Sequence, residues 1–357
     1  MSSHPCSGCN ADLEWSPGAG ELLCPYCGST TAVESATAVG DTPAMVVEYD
    51  LDAALSTVPR GWAAEVVEFR CTHCNALSAV EPHVTATSCA FCGTTQLEVQ
   101  PVDQDLIRPE SLLPFSIEEG VARKGFAGWV KGLWFRPNDL KRLARLDGLR
   151  GVYIPVWTFD MKTSTDWQAE SGFYYYVQVP TSDGKTRRER RTRWEWRNGN
   201  VRLNFDDWLV QASGGLSTEL FDGLRPFDTG ELVPYDTRYL AGFVAERYQL
   251  DLHDAWDVGV AGMMSRVHAA VVNDIPGDTH RSLSKESKSW DETFKHCLVP
   301  VWISAYRYKG KTFHYVVNGV TGTLNGTAPY SWIKITLAVL AALLVGAAAY
   351  LYVTHTT

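Results

Sequence analysis

Cys6-Ser7-Gly8-Cys9 and Cys24-Pro25-Tyr26-Cys27-Gly28 are matched further along the chain by Cys71-Thr72-His73-Cys74 and Cys89-Ala90-Phe91-Cys92-Gly93. Fourteen residues separate the two pairs in each block, and every position of the second block lies 65 residues after its counterpart. Two residues between cysteines let one tight turn offer both sulfurs to a single ion, and zinc takes four thiolates tetrahedrally in a closed structural site. The glycine after each second pair permits the positive φ such a turn needs, and the aromatic between the sulfurs is expected to cover the site. The spacing predicts two tandem zinc ribbons: Cys6, Cys9, Cys24 and Cys27 hold one structural Zn2+, and Cys71, Cys74, Cys89 and Cys92 hold the other. His4 and His73 adjoin these sets and are expected to be bystanders, because four sulfurs complete each site.

Disulfides are the other use of paired cysteines and need an oxidising compartment. Only Met1-Ser2-Ser3-His4-Pro5 precedes Cys6, without the charged-then-apolar run of a secretory signal, so the thiols are expected to face the cytosol. The formal net charge is -9, and residues 1 to 110 carry fifteen acids against three bases, Arg60, Arg70 and Arg108. Each four-thiolate zinc site adds about two further negative charges. Affinity for nucleic acid rests largely on Lys and Arg against phosphates, so this balance argues for a protein partner.

From Ile335 to Val353 nineteen residues pass without a charge. At about 1.5 Å per residue such a helix is roughly 29 Å long, close to the hydrocarbon thickness of a bilayer. Trp332 flanks one end, with Tyr350 and Tyr352 at the other, where amphipathic rings favour the interface. Lys334 abuts the span and Arg307, Lys309 and Lys311 lie upstream, whereas Thr354 to Thr357 carry no Lys or Arg. The expected arrangement is a tail-anchored, single-pass protein of the cytoplasmic membrane with its large N-terminal part in the cytoplasm.

Between the cysteine blocks and the apolar span the chain reads as an α+β protein. The expected divisions are a first zinc ribbon over 1–34, a linker over 35–60, and a second ribbon over 61–100. A mixed, β-rich domain over 101–330, a transmembrane helix over 331–353 and a tail over 354–357 follow. Ser35 to Pro43 is small and polar, as linkers are, and Ala44 to Thr57 allows a strand and a short helical turn. A helix is expected to open at Ser116, with Glu119 three residues on, and a second to run from Pro137 to Leu146. Val152–Phe159 and Gly172–Val179 are β-branched and aromatic and read as strands. Asp183-Gly184 supplies a turn, Arg187–Trp196 a strand, and Asn198-Gly199 a tight hairpin turn into Val201–Phe205. A helix over His253–Val272 carries Trp256, Val260, Met263, Met264 and Val267. Cys297-Leu298-Val299-Pro300-Val301-Trp302 then echoes Tyr153-Ile154-Pro155-Val156-Trp157, which points to a duplicated unit of a helix followed by strands. Cys297 itself, without a partner at metal spacing, is expected to be a buried small hydrophobe.

Arg187, Arg188, Arg190, Arg191, Arg193 and Arg197 form a basic run interleaved with Trp194 and Trp196. It reads as a solvated edge strand protected by charge with its tryptophans turned inward, and alternatively as a surface for phosphates of lipid or nucleic acid. Gly184-Lys185-Thr186 and Gly310-Lys311-Thr312 resemble the end of a phosphate loop, which needs a glycine five residues earlier. Val179 and Ala305 stand there instead, and both triplets fall in turns between strands, so helicase or ATPase activity is not expected. No Gly-x-Ser-x-Gly or His-Glu-x-x-His arrangement is present.

Several stretches together resemble a bacterial family of tail-anchored, double zinc-ribbon membrane proteins. They are Leu298 to Trp302, Tyr306 to Lys311, Val317-Asn318-Gly319-Val320-Thr321-Gly322, and Gly326 followed by Pro329-Tyr330-Ser331. Asp207 to Ser213, Pro226-Phe227-Asp228 and Leu240-Ala241-Gly242-Phe243 belong to the same set. Members are often labelled primosomal protein N-prime, superfamily II helicase-like, or transcription-factor-IIB-type zinc ribbon proteins. The resemblance implies an envelope-stress setting with phage-shock-A-like or flotillin-like partners. Combined with the charge and the anchor, it leads to the expectation of a non-enzymatic membrane adaptor. The alternative is a membrane-tethered zinc-ribbon factor that binds nucleic acid in replication or transcription.

Overall fold

The structure is a computed structural model that describes residues 4–33, 46–52, 58–62, 66–80, 88–137, 148–180, 182, 184–309 and 311–356. Of the expected linker over 35–60, residues 35–45 and 53–57 lie outside these residues, as do the helical turn expected before Thr57 and the second helix but for Pro137. In the first cysteine module β1 (Glu14–Ser16), β2 (Glu21–Leu23) and β3 (Thr30–Thr31) form their own antiparallel sheet. After β4 (Tyr49–Asp50), the second module supplies β5 (Val67–Cys71), β6 (Leu77–Val80) and β7 (Leu97–Gln100). From β8 (Ser111–Leu112) the chain passes through α1 (Glu119–Gly132) to β9 (Arg150–Pro180) and β10 (Thr186–Gln211). After β11 (Val233–Pro234), β12 (Val244–Glu246) leads through α2 (Leu252–Asp274) to β13 (Thr279–Tyr308) and β14 (Lys311–Asn318). Finally β15 (Leu324–Gly326) precedes α3 (Trp332–Thr356). The protein is thus mixed helix and strand, and mostly sheet.

The two Pro-Val-Trp segments lie side by side. β9 and β13 pair antiparallel, and Ile154 faces Val299, its own counterpart in the other copy. Around that point the neighbours also correspond. β12 runs parallel to β9 at Val152 and Tyr153, and β8 runs parallel to β13 at Cys297 and Leu298. β10 begins its pairing with β9 at Val156, just as β14 begins with β13 at Val301. Each half is therefore a short strand, a helix, a long strand and a returning strand, and the halves are related by an approximate two-fold axis.

Both prolines fall where the neighbouring strand changes. The Pro155 carbonyl accepts from Ala212 N at 3.0 Å and the Pro300 carbonyl from Gly319 N at 2.8 Å. Backbone N and O of one strand residue point to the same side, so neither missing N–H removes a bond between β9 and β13. That is how two prolines are tolerated at the middle of a central sheet.

Val152 to Phe159 are buried on both faces of the sheet. Beyond them the pattern alternates: Met161, Thr163, Thr165, Trp167 and Ala169 are buried, while Lys162, Asp166 and Gln168 are exposed. The buried set shares an apolar cluster with α2, whose Ala255, Met263, Val267 and Val271 are fully buried at helical spacing. Gly259 and Gly262 let the helix approach, since a Cβ would lie 3.0 Å from the Phe159 ring and 2.8 Å from that of Trp208. Asp251 caps the helix by accepting from Asp254 N at 2.9 Å. By contrast α1 starts after Glu118 without a side-chain cap, so the expected role of Ser116 is not found.

The strands expected over Val152–Phe159 and Gly172–Val179 are parts of one strand, β9. With 31 residues at about 3.3 Å each, its contour approaches roughly 100 Å. The expected hairpin at Asn198-Gly199 is corrected: both residues lie within β10, opposite Gln168 and Trp167. A Cβ on Gly199 would sit 2.7 Å from the Trp167 indole. The glycine makes room for a cross-strand ring, and is not there to turn the chain. Non-glycine residues at positive φ, namely Asp207, Ser282 and Asp291, mark the three register shifts that bend this sheet.

Gly199→Ala is expected to overpack against Trp167 and destabilise the protein by about 1–3 kcal/mol. Asn198→Ala, on the exposed face next to it, should leave stability nearly unchanged. Thermal melting of the detergent-solubilised chain checks the pair, and equal behaviour of the two variants would contradict the packing assigned to Trp167.

Candidate metal centres and the membrane helix

Each cysteine turn is built by the same two backbone bonds. The amide of Cys6, Cys24, Cys71 or Cys89 donates to the carbonyl five residues on, at Ala11, Ser29, Ala76 and Thr94. The amides of Asn10, Gly28, Asn75 and Gly93 donate back to those four cysteines' carbonyls at 2.8–3.0 Å. All four of these returning residues have φ between 61° and 75°. Glycine at two of them was anticipated. Asn10 and Asn75 were missed, although an asparagine after each first pair, with its tolerance of left-handed backbone, repeats in the same register.

The turns bring the sulfurs together as the spacing predicts. Cys6 and Cys27 Sγ are 3.5 Å apart, and Cys9 and Cys24 3.4 Å. In the second set Cys71 and Cys92 are 3.5 Å apart, and Cys74 and Cys89 3.6 Å. A disulfide would need about 2.05 Å, whereas the edge of a tetrahedron with metal–sulfur bonds near 2.3 Å is roughly 3.8 Å. Each quartet could hold one metal ion, and His4 and His73 belong to neither. Within the second quartet the hydrogen bond between Cys74 and Cys89 draws the Cys89 thiol down to about 5 and pushes that of Cys74 far up. Cys27 falls to about 6, first through the Ser29 hydroxyl. Four sulfurs this close repel one another once ionised, and a dication removes that repulsion.

The quartets differ in their surroundings. Phe91, between Cys89 and Cys92, is buried as expected and packs where a Cβ on Gly215 would lie 2.7 Å from its ring. Tyr26, between Cys24 and Cys27, does not cover its site: it is 81% exposed, and Cys9 and Cys27 are exposed too. The second module joins the main sheet through β6 and β12, with Ala79 opposite Ala245. Arg247 locks it there, donating to the buried Glu68 at 3.0 Å and to Asp103 at 3.2 Å. The first module docks through Trp15, which donates from its ring to Phe115 O at 3.0 Å and lies edge-on to Tyr239.

Lys295, His296 and Cys297 are consecutive buried ionisable residues of β13. Lys295 bonds Asp207 at 2.6 Å and Glu48 at 2.9 Å. Cys297 is buried as expected and accepts from Ser111 Oγ at 3.2 Å. His296 lies against Trp157 and Tyr248, with Nδ1 2.9 Å from Ile107 O. Burial lowers its pKa to about 4.

The arginine run lies on the edge strand β10, as expected, but the tryptophans do not turn inward. Trp194, Trp196, Arg188 and Arg190 share the face away from α2, and Trp196 is exposed. Arg188 lies over Tyr176 at 4.0 Å and Arg190 over Tyr174 at 4.3 Å. On the other face Arg187 and Arg191 pair with Glu189, and Arg193 and Arg197 with Glu195. This hairpin projects past Thr279, the start of β13, while Tyr308 at the other end of that strand lies near the base of α3.

α3 is long and apolar enough to cross a membrane over Trp332–His355, and none of that span is buried against the rest of the protein. The observed features define a mostly β protein with two four-cysteine clusters near one end and a helix able to span a bilayer near the other. No known family's profile matches the chain, and no solved structure matches it. YdjG, an uncharacterized protein of Bacillus subtilis strain 168, is 25% identical over 232 residues. The match covers 63% of this chain and 65% of YdjG, less than two thirds of that relative's length.

Two metal equivalents per chain are expected by elemental analysis, with chelator removing the first, more exposed one faster. Cys27→Ser should lose one equivalent and keep the melting transition of the main sheet, whereas Cys89→Ser should lose one and lower that transition. A separate expectation concerns acid. Unfolded His296 takes up a proton as pH falls below about 6.5, and the folded residue resists until about 4. The stability present above pH 6.5 is therefore lost through that window, by about 3 kcal/mol from this residue. His296→Asn should melt with a shallower dependence between pH 7 and 4.5 than the parent.

Proposed function

We propose that this protein is a single-pass membrane adaptor without catalytic chemistry, in which two structural zinc ions fix small acidic modules that engage a protein partner at the cytoplasmic face. The observation that carries this reading is the pair of all-cysteine quartets, each completed by its own four sulfurs, in a chain that also carries an unburied apolar helix. Zinc held by four thiolates has no open position for water or substrate, which suits a structural role. The modules then differ in task. The second braces the main sheet, and the first presents Tyr26, an exposed aromatic beside the metal set in acidic surroundings. Exposed tyrosines of this kind are frequent anchors of protein interfaces. The family resemblance suggests phage-shock-A-like or flotillin-like proteins as the partner.

The charge pairing on β10 favours this reading over nucleic-acid binding. Glu189 and Glu195 pair with four of the six arginines and offset two of their six charges, which weakens the counterion release that drives phosphate-backbone affinity. A photo-crosslinking residue placed at Tyr26 in intact membranes should give a discrete adduct with another protein, and Tyr26→Ala should abolish co-purification of that protein while leaving the metal content intact. An unchanged set of co-purifying proteins in Tyr26→Ala would overturn the assignment. Salt-sensitive binding of DNA or RNA by the purified chain at physiological ionic strength would replace it with the nucleic-acid reading.

A further inference from the structure

Where α3 leaves the domain, a groove of about 1120 Å³ opens between the β13–β14 turn and the segment leading into the helix. Three cations line it, Arg136, Lys309 and Lys311, and among its lining residues there is no carboxylate. Tyr330 and Trp332 form its other wall, with the Arg136 guanidinium stacked 3.7 Å from the Tyr330 ring centre. Arg136 is fixed further by donating to Ala328 O. Neither lysine has an ion-pair partner among the described residues, in a chain whose net charge is -9.

A second cleft of about 630 Å³ adjoins the groove. It lies between the end of α1 and α3, with Lys131 and Lys334 at its rim and Leu337 and Ala338 along the helix. The chain after α1 places Trp134 here at 84% exposure and Phe135 at 49%, outside any apolar cluster of the core. These rings are held beside the helix by a bond from Ser331 N to Phe135 O at 2.8 Å. In water two adjacent exposed aromatics are unfavourable. At the headgroup level of a bilayer they are the residues most enriched.

Resting on the membrane-spanning reading of α3, we infer that the groove binds the headgroup of an anionic phospholipid. The phosphate lies between Lys309, Lys311 and Arg136, and the acyl chains run past Trp134 and Phe135 along the first turns of α3. Charge selects the ligand: three cations without a compensating acid favour an anionic headgroup over a zwitterionic one. Position selects its source, because the groove opens at the start of the apolar helix, with an interfacial tryptophan on either side. The hairpin arginines do not share in this, since they lie at the other end of β13.

The test uses the full-length protein reconstituted in nanodiscs of phosphatidylcholine with and without phosphatidylglycerol, then exchanged into detergent. Lipid retained per chain is read by mass spectrometry. The parent should keep phosphatidylglycerol and release phosphatidylcholine. The double variant Lys309→Gln, Lys311→Gln should keep at least about tenfold less phosphatidylglycerol at equal folding and metal content. Millimolar inorganic phosphate should not displace the lipid. Equal retention by parent and double variant overturns the site, and displacement by phosphate reassigns it to a free anion. Alkaline extraction of native membranes separates the two levels: release of the parent refutes the spanning helix itself, while retention together with equal lipid binding refutes only the headgroup site.

Discussion

The antiparallel pairing of β9 with β13, centred on Ile154 and Val299, is the constraint on which the rest of the molecule depends. Every large element is placed by it. α1 and α2, the returning strands β10 and β14, and the short parallel strands β8 and β12 occupy equivalent positions about that centre. The second cysteine module then extends the sheet from β12, so its four cysteines are braced by the same hydrogen-bonded framework. The two halves diverge only away from the axis. One long strand pair carries the arginine hairpin, and the other ends beside the apolar helix α3.

This arrangement gives the two cysteine quartets unequal mechanical standing. Arg247, Glu68 and the packing of Phe91 on Gly215 tie the second to the core, so its loss propagates into the main sheet. The first has a small separate sheet and docks by packing Leu13, Trp15 and Leu22 into the same cluster as Phe115 and Tyr239. The outer side of the first module, at Cys9, Tyr26 and Cys27, is exposed and can change without disturbing the core.

Several of these features were legible in the residues. The cysteine spacing predicted both quartets because metal ligation is set by local turns, and the apolar span announced itself by length and freedom from charge. The duplication was visible through Pro155 and Pro300, whose tolerance inside a sheet depends on the same change of neighbour in each half. What local patterns could not reveal was length and partnership. Asn198-Gly199 carries the strongest short-range signal for a turn, yet the Trp167 ring, thirty-odd residues earlier, claims the space over the glycine. The inward turn assigned to Trp194 and Trp196 failed for a related reason: alternation tells two faces apart, but only the position of α2 decides which of them is covered. Tyr26 and Phe91 stand at matched positions in identical turns and differ in exposure because their modules dock differently.

The central pairing also sets an order of events during synthesis. β9 contains a continuously buried stretch, Val152 to Phe159, but β13 does not begin until Thr279. While the ribosome makes α2, β9 can pair only with β10 and β12, and its other edge stays open. Long-range strand pairing of this kind is slow, and open apolar edges invite the wrong neighbour. The helix that could enter the bilayer follows β13 after β14 and β15. The nascent chain must therefore keep β9 from pairing wrongly until β13 has been made.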